Sequence, residues 1–344
     1  MYLRSVLAIA CFSFIFPLHA QDIEQGNNSN PGPRVVLRQV KDSIYMLQGQ
    51  GGNVGIFAGQ EGGLMIDNQF AKTSGRLMES YNHISNSPLK FLINTHHHGD
   101  HTGGNANFKA MGVTIISHKN VRRHLMDEAR AKIMAERDAA FKERVETLRE
   151  SGSESSAADL TAKGEQVGQE EIILEDIFPS LTIDNTINFY LNGEEIEIIP
   201  LAAGHTDGDM LVWFKTSNVI HTGDAYIKSR YPYIDSKNGG TPEGYMAGLK
   251  KIMGLIDDNT KIIPGHGDLA SKANLKESIR MFESIIEDVT FHAYSGKSLE
   301  EVQAMSDITK KYDDLGYGDY FITKDQFIAA LYAAPAAKYK AAKK

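Results

Sequence analysis

Short apolar runs separated by glycines dominate the first part of the chain. The runs at residues 44–47, 54–57 and 64–67 are typical of strands joined in hairpins. A helix is predicted from residue 71 to about 83, and the compact apolar run at 91–94 then predicts a buried strand. Another strand is expected at residues 114–117. The first part of the chain therefore predicts a sheet built largely from consecutive strands.

A different pattern begins at Lys119. Residues 119–150 are rich in Ala, Glu, Arg, Lys and Met, contain neither Pro nor Gly, and carry apolar residues at helical spacing. They predict one long helix or two shorter ones. The sheet pattern resumes only near Leu181, so residues 119 to about 180 are interpreted as a helical insertion. It could be a solvated pair of helices that extends the core, or a lid or dimer contact.

Strands and helices alternate in the second half of the chain. The pattern predicts strands at residues 187–190, 196–199, 210–214, 219–220 and 262–263, and helices at 242–256, 272–288, 299–312 and 324–332. Strand-rich and mixed segments thus alternate twice along the chain. This order predicts an α/β catalytic domain over residues 34–270, and then a C-terminal helical extension over 271–344.

The first twenty residues have the layout of a secretory signal peptide. Arg4 precedes an apolar run from Ser5 to Phe16, which is shorter than the roughly twenty residues needed to span a bilayer. Cleavage is expected after Ala20, with residues 21–33 as a polar linker. The mature protein would then be periplasmic or secreted, without a membrane anchor. Since Cys11 is the only cysteine, this protein would have neither a disulfide nor a thiolate ligand.

Composition narrows the class of partner. The formal net charge is −8 and no basic stripe is visible, which argues against a nucleic-acid partner because phosphate neutralisation needs clustered cations. The chain is 42% hydrophobic and long enough to bury a large core. These features favour a globular enzyme with a small-molecule substrate.

The most informative segment is Thr95-His-His-His-Gly-Asp-His-Thr-Gly-Gly-Asn105, which comes directly after the apolar run at 91–94. It holds four potential ligands within six residues: His96, His98, Asp100 and His101. Alternate residues of an extended loop point the same way, so the first two could bind one cation while the other two turn towards a second. Imidazole and carboxylate suit zinc, and also iron or manganese.

Three later turns carry further potential ligands. They contain His205, Asp224 and His266, on glycine turns at residues 204–208, 222–224 and 264–267. Each turn comes directly after an apolar strand. Ligands at strand ends on such turns converge on one edge of a layered sheet, so we expect one binuclear centre.

Together the motifs H-x-H-x-D-H, G-H-T-x-G-D, T-G-D and G-H-G resemble those of the metallo-β-lactamase superfamily, over roughly residues 35 to 270. The resemblance implies an αββα sandwich of two mixed sheets with helices outside. It also implies two zinc ions per chain, with iron or manganese as alternatives. His96, His98 and His205 would hold the first ion, Asp100, His101 and His266 the second, and Asp224 would bridge both.

Two neighbouring residues receive other interpretations. Asp67 resembles the family's first motif, which braces the metal loop by hydrogen bonds, although a helix N-cap or turn residue is an equal alternative. His97 should point away from the metals because its neighbours point towards them. The remaining histidines are interpreted as loop, helix or core residues.

The resemblance implies hydrolysis of a carbonyl-type bond, in a β-lactam, lactone or ester, by a hydroxide shared between two metals. Asp100 would orient this nucleophile and accept its proton. Asp224 at the bridging position resembles lactonases and glyoxalase II, so a thioester hydrolase is one alternative. An iron-dependent enzyme similar to persulfide dioxygenases is another.

Two cations lie shortly after the bridging position in the sequence. Lys228 and Arg230 are interpreted as a possible clamp for a substrate carboxylate, through a point charge and a bidentate contact respectively. The alternative is that both are solvated surface charges.

Overall fold

The computed structural model describes residues 34–152 and 178–342, with side chains described up to residue 333. The predicted signal peptide (1–20), the predicted linker (21–33) and the later part of the predicted insertion (153–177) lie outside these residues. Within the described ranges, no helix combines the length and apolar character needed to cross a membrane.

The first sheet has seven strands that pair in chain order. The first three pairings are antiparallel and the last three are parallel, because helices connect the later strands. The strands are β1 (Val36–Lys41), β2 (Ile44–Gln48), β3 (Val54–Phe57), β4 (Gly63–Ile66), β5 (Leu89–Asn94), β6 (Thr114–His118) and β7 (Leu181–Ile183).

The second sheet has five strands and is formed entirely by later residues. Its strands are β8 (Ile187–Leu191), β9 (Glu194–Pro200), β10 (Met210–Phe214), β11 (Val219–His221) and β12 (Lys261–Ile263). All neighbours are antiparallel except β11 and β12, which are parallel. The largely alternating burial along β9 is expected for a strand whose two faces meet different surroundings.

The two sheets pack face to face through an apolar layer. Buried side chains of the first sheet, such as Ile66, Ile93 and Ile116, meet Ile198 and Val212 of the second. Burial of this area provides the main force that holds the sheets together. Thus the described chain has two mixed sheets at its centre.

Helices cover the outer faces. The helices of the described residues are α1 (Ser74–Ile84), α2 (Gly99–Thr102), α3 (Asn105–Ala110), α4 (Lys119–Glu150), α5 (Pro242–Leu255), α6 (Lys272–Tyr294), α7 (Leu299–Gln303), α8 (Lys310–Asp313) and α9 (Lys324–Ala342). Helices α1 and α3 pack on the first sheet through Leu77 and Phe108. On the second sheet, α5, α6 and α9 pack through Leu249, Phe282 and Phe327. The four layers form the predicted αββα sandwich.

Two sequence predictions about helices need correction. The helix expected at residues 299–312 is wrong as a single element: α7 ends at Gln303, a 3₁₀ turn occupies residues 306–308, and α8 starts at Lys310. Ser306 and Asp307 favour this break because their side chains compete for backbone hydrogen bonds. The histidine-rich loop is not extended throughout either, since residues 99–102 form the one-turn helix α2.

The directions of the strands place the carboxyl ends of several strands at one edge of the sandwich. The carboxyl ends of β4 and β5 lie together because these strands are parallel. In the second sheet the carboxyl ends of β9, β11 and β12 share one edge for the same geometric reason. A hydrogen bond from Met210 N to Thr95 O, 2.9 Å, joins the two edges. The turns that carry the predicted ligands therefore all lie at this edge.

Candidate metal centre

The structure brings all seven predicted ligands together at this edge. His96, His98, Asp100 and His101 come after β5, and the turns after β9, β11 and β12 supply the rest: His205, Asp224 and His266. His96, His101 and His205 are buried, whereas the side chains of Asp100 and His266 keep 29% and 23% of their exposure. The cluster is therefore buried on the side of these three histidines and reached by solvent on the side of Asp100 and His266.

Three histidines form the first group. Nδ1 of His98 and Nε2 of His205 lie 2.9 Å apart, and the donor atoms of His96, His98 and His205 all lie within 4.8 Å of one another. Nε2 of His96 is buried, and no described residue offers it a hydrogen bond. A buried polar atom without a partner is costly, and a cation at this position would satisfy it.

The second group consists of Asp100, His101 and His266. His266 Nε2 lies 3.2 Å from Asp100 Oδ2 and 3.4 Å from His101 Nε2. The Asp224 carboxylate lies between the groups, with Oδ1 3.2 Å from His101 Nε2 and Oδ2 3.6 Å from His205 Nε2. Asp224 is thus placed to contact ligands of both groups.

Hydrogen bonds away from the centre orient four histidine rings. His205 Nδ1 donates to Tyr233 O at 2.7 Å, and His101 Nδ1 donates to Asp67 Oδ2 at 2.7 Å. His98 uses Nε2 instead, 2.9 Å from Asp235 Oδ2.

The fourth ring is held in the same way. Thr95 Oγ1 donates to Asp67 Oδ2, so it can accept from His96 Nδ1 at 3.1 Å. In all four rings the other nitrogen faces the cluster, where its lone pair can bind a cation. This division of roles is typical of metal-binding histidines, and the residues present therefore fit bound metal cations.

Asp67 braces the loop in the manner that the resemblance implies. Its side chain accepts hydrogen bonds from Thr95 N (2.8 Å), Thr95 Oγ1 (2.7 Å) and His101 Nδ1. It does not cap a helix; its backbone has a φ of 61°, a left-handed conformation that is unusual for a residue other than glycine. This conformation turns the chain sharply at the end of β4, which places the carboxylate beneath the histidines.

Sequence reasoning missed a similar brace at Asp209. This buried carboxylate accepts from His205 N at 2.8 Å and from Thr206 N and Oγ1. Burial raises the pKa of Asp209 to about 7, although these three donors oppose the rise. The signal was present in the motif G-H-T-x-G-D, whose last residue is Asp209.

A glycine-rich loop between β2 and β3 was also missed as part of the site. Gly52 N donates to Asp100 O at 3.1 Å, and Asn53 N donates to Gly265 O at 2.7 Å. A Cβ atom at Gly52 would overlap the His101 ring. The loop thus packs against the histidine-rich loop and the turn that carries His266. The sequence signal was the close spacing of Gly49, Gly51 and Gly52.

Helix α4 supports the loop from the other side. The His97 ring packs against the His124 ring of α4 in a tilted arrangement, with centroids 4.5 Å apart, and His97 Nε2 lies 3.8 Å from Glu128 Oε1. His124 and Arg123 also bind the Asp207 carboxylate, each at 2.7 Å. The start of helix α4 therefore contacts both the histidine-rich loop and the turn that carries His205. Whether the insertion acts as a lid stays a prediction.

The two predicted clamp cations differ in their contacts. Lys228 Nζ donates to Leu269 O at 2.9 Å. The Arg230 guanidinium lies over the Tyr320 ring, 3.8 Å from its centroid. Burial lowers the Arg230 pKa, while Tyr320, Asp224 and Asp268 act in the opposite direction. None of these contacts tests the carboxylate clamp, which stays a prediction.

The acidic groups change the protonation of the second group in the metal-free protein. Burial alone would lower the pKa of His266, but Asp224 and Asp100 outweigh it and raise the pKa to about 9. Burial likewise opposes protonation of His101, yet Asp224, Asp67 and Asp100 hold its pKa well above the usual value. Both shifts favour the protonated form of the rings when no metal is bound.

Metal binding should consequently release protons. We expect the affinity for Zn²⁺ to rise with pH from 6 to about 9, by up to about tenfold per pH unit for each proton displaced, and then to rise less steeply once His266 loses its proton unaided. Competition with a chromophoric chelator, buffered at each pH, measures this slope. An affinity that is constant over this range would show that both rings are neutral before metal binds.

Comparison with known proteins agrees with this architecture. The family model described as metallo-beta-lactamase superfamily matches residues 47–266. Among solved structures, the crystal structure of VMB-1 at pH 5.5 is 15% identical, covers 73% of this chain and 97% of its own, and gives a TM-score of 0.51.

Two further structures lie just below that similarity. A metallo-beta-lactamase from Pontibacter korlensis is 14% identical, covers 73% of this chain and 99% of its own, and gives a TM-score of 0.49. The DIM-1 metallo-beta-lactamase is 16% identical, with 74% and 98% coverage and a TM-score of 0.49. The family match spans the strands and turns that carry all seven clustered donors. The chain therefore belongs to the metallo-β-lactamase superfamily, whose members are generally metal-dependent hydrolases.

Proposed function

We propose that this protein binds two zinc ions and hydrolyses a carbonyl-type bond in a β-lactam, lactone or ester. The observation that supports the proposal best is the orientation of the rings: four histidines each have one nitrogen tied to an outer partner and the other directed at a common centre. Two cations held there would supply a nucleophile from water near neutral pH and polarise the carbonyl oxygen.

The negative charge of Asp224 would partly compensate the charge of the two cations. Burial raises its pKa, but His266 and His101 outweigh burial and hold the pKa well below the usual value. Asp224 is thus ionised throughout the physiological range. As a carboxylate that lies next to ligands of both groups, it can hold the two cations close together.

Asp100 is the proposed proton acceptor. Its side chain lies on the open side of the cluster, with Oδ2 3.2 Å from His266 Nε2. Burial raises the Asp100 pKa, yet His101 and His266 bring it below its usual value. A carboxylate that is ionised and reached by solvent can orient a water molecule and accept its proton.

The test is a substrate screen of the zinc-loaded protein. β-Lactams, lactones, esters and thioesters are assayed in parallel, and each carboxylate-bearing compound is paired with its neutral methyl ester. Hydrolysis of a lactam, lactone or ester is the expected result. If Arg230 and Lys228 bind the carboxylate, substituting them with alanine raises KM for the charged member of a pair only. Turnover of thioesters alone, or oxygen uptake with a persulfide by the iron-loaded protein, would replace the proposal.

The variant Asp100→Asn sharpens the test. It keeps the shape of the side chain but loses its basicity, so kcat should fall by roughly 10²–10⁴-fold. The matched control is Asp268→Asn, which removes an exposed charge two residues after His266 without touching the cluster. Normal turnover by Asp100→Asn, with metal content unchanged, would remove Asp100 from the reaction.

A further inference from the structure

Two aromatic residues of the C-terminal region are exposed close to the candidate metal centre. Tyr320 and Phe321 lie in the loop between α8 and α9, and they are 51% and 81% exposed. Single exposed aromatic residues are common on protein surfaces. The contacts of this pair distinguish it from such cases.

The loop is attached to the segment that leaves the metal centre after Asp224. Tyr231 N donates to Tyr317 O at 3.3 Å, and the Tyr231 ring stacks on Phe327 of α9, with centroids 5.0 Å apart. Tyr231 is 1% exposed, so the attachment is part of the buried core. The position of the loop is therefore set by packing.

Two aromatic rings, those of Phe321 and Tyr233, connect this loop to two of the predicted metal ligands. Phe321 meets Tyr233 edge to face, with centroids 5.7 Å apart. The Tyr233 ring lies 5.6 Å from the His98 ring and 5.8 Å from the His205 ring. Beside it, Arg230 is held over Tyr320. Phe321 thus stands one ring away from two of the proposed ligands of the first metal ion.

We propose that Phe321 and Tyr233 form an apolar subsite for the organic group attached to the scissile carbonyl, so that the C-terminal extension determines substrate range. The proposal rests on the proposed hydrolytic function. A substrate whose carbonyl lies at the first metal ion would have its substituent within reach of these two rings. An acyl or aromatic substituent would cover the exposed face of Phe321 and gain free energy from that burial.

The experiment uses a chain-length series with two separate measurements. Calorimetry gives the affinity of the zinc-loaded protein for acetate, butyrate and hexanoate, and kcat/KM is measured for the matching p-nitrophenyl esters. The variants are Phe321→Ala and Phe321→Leu, with Phe291→Ala as the control. Phe291 is 66% exposed and lies on α6, where its ring contacts His292.

In the unmodified protein, affinity should rise with chain length, by up to about fourfold for each methylene that is buried. Phe321→Ala should remove the dependence of affinity on chain length, Phe321→Leu should retain part of it, and Phe291→Ala should retain all of it. A slope that survives in Phe321→Ala, or no slope in the unmodified protein, overturns the subsite.

The two measurements separate this inference from the proposed function. Chain-length-dependent carboxylate binding that Phe321→Ala abolishes, without turnover of any ester, supports the subsite and counts against hydrolysis. Ester hydrolysis with the same slope in the unmodified protein and in Phe321→Ala supports hydrolysis and overturns the subsite.

Discussion

The variant Asp224→Asn is expected to lose at least one of the two metal ions and to lower kcat/KM by at least about 10⁴-fold, the upper end of what one acid–base group contributes. The reason is its position: its carboxylate lies 3.2 Å from His101 Nε2, 3.5 Å from His266 Nε2 and 3.6 Å from His205 Nε2. A neutral amide would leave two cations without the charge that keeps them close together. Elemental analysis of the purified variant and steady-state kinetics measure the two effects.

A third measurement, the pKa of His266, can be made on the metal-free protein. Asp224, together with Asp100, raises the pKa of His266 to about 9 in the metal-free protein, against the effect of burial. Removing its charge should lower that pKa, which NMR titration of the histidine ring resonances can track. Asp268→Asn is again the control, since it removes an exposed carboxylate. Two tightly held ions per chain in Asp224→Asn would rule out the bridging role.

The second large effect is expected at Asp67. Asp67→Ala removes the acceptor for Thr95 N, Thr95 Oγ1 and His101 Nδ1, all of them buried. Each unsatisfied buried donor costs about 1–3 kcal/mol, so the metal-free protein should lose at least about 3 kcal/mol of stability. Zinc affinity should also fall by roughly 10–100-fold, because the His101 ring loses its orienting partner. Urea unfolding and chelator competition measure these losses.

A matched substitution separates the hydrogen bonds from backbone strain. Asp42 also has a left-handed backbone, with a φ of 48°, but it is exposed in the turn before β2. Asp42→Ala introduces the same strain without removing a buried acceptor. If both variants are destabilised equally, strain accounts for the effect and the bracing role of Asp67 is wrong.

Local sequence signals predicted the strands and the cluster of seven donors. An apolar run that ends in His, Asp and Gly residues indicates both a strand and the ligand-bearing turn at its carboxyl end, so the turns after β5, β11 and β12 were identifiable. The broken helix at 299–312 was not, because apolar spacing continues through Ser306 and Asp307.

The outer partners of the histidines depend on distant parts of the chain. Asp235 reaches His98 across 137 residues of sequence, and Tyr233 offers His205 only a backbone carbonyl. A backbone carbonyl partner cannot be predicted from the type of side chain, because every residue has one. In the same way, no local pattern links Asp235 to the histidine-rich loop. The contact of Phe321 with Tyr233 likewise exists only after α9 packs on the second sheet.

The sequential separation of the two sheets has a consequence for how the two halves of the chain are held together. The first sheet ends at Ile183 and carries four of the donors, and the second begins at Ile187 and carries the other three. Each half of the chain alone therefore holds only part of the candidate metal site. A cation bound by donors from both halves would link them, in addition to the apolar layer between the two sheets. The link at residues 184–186 is therefore a natural place to divide the chain into fragments whose reassembly zinc would promote.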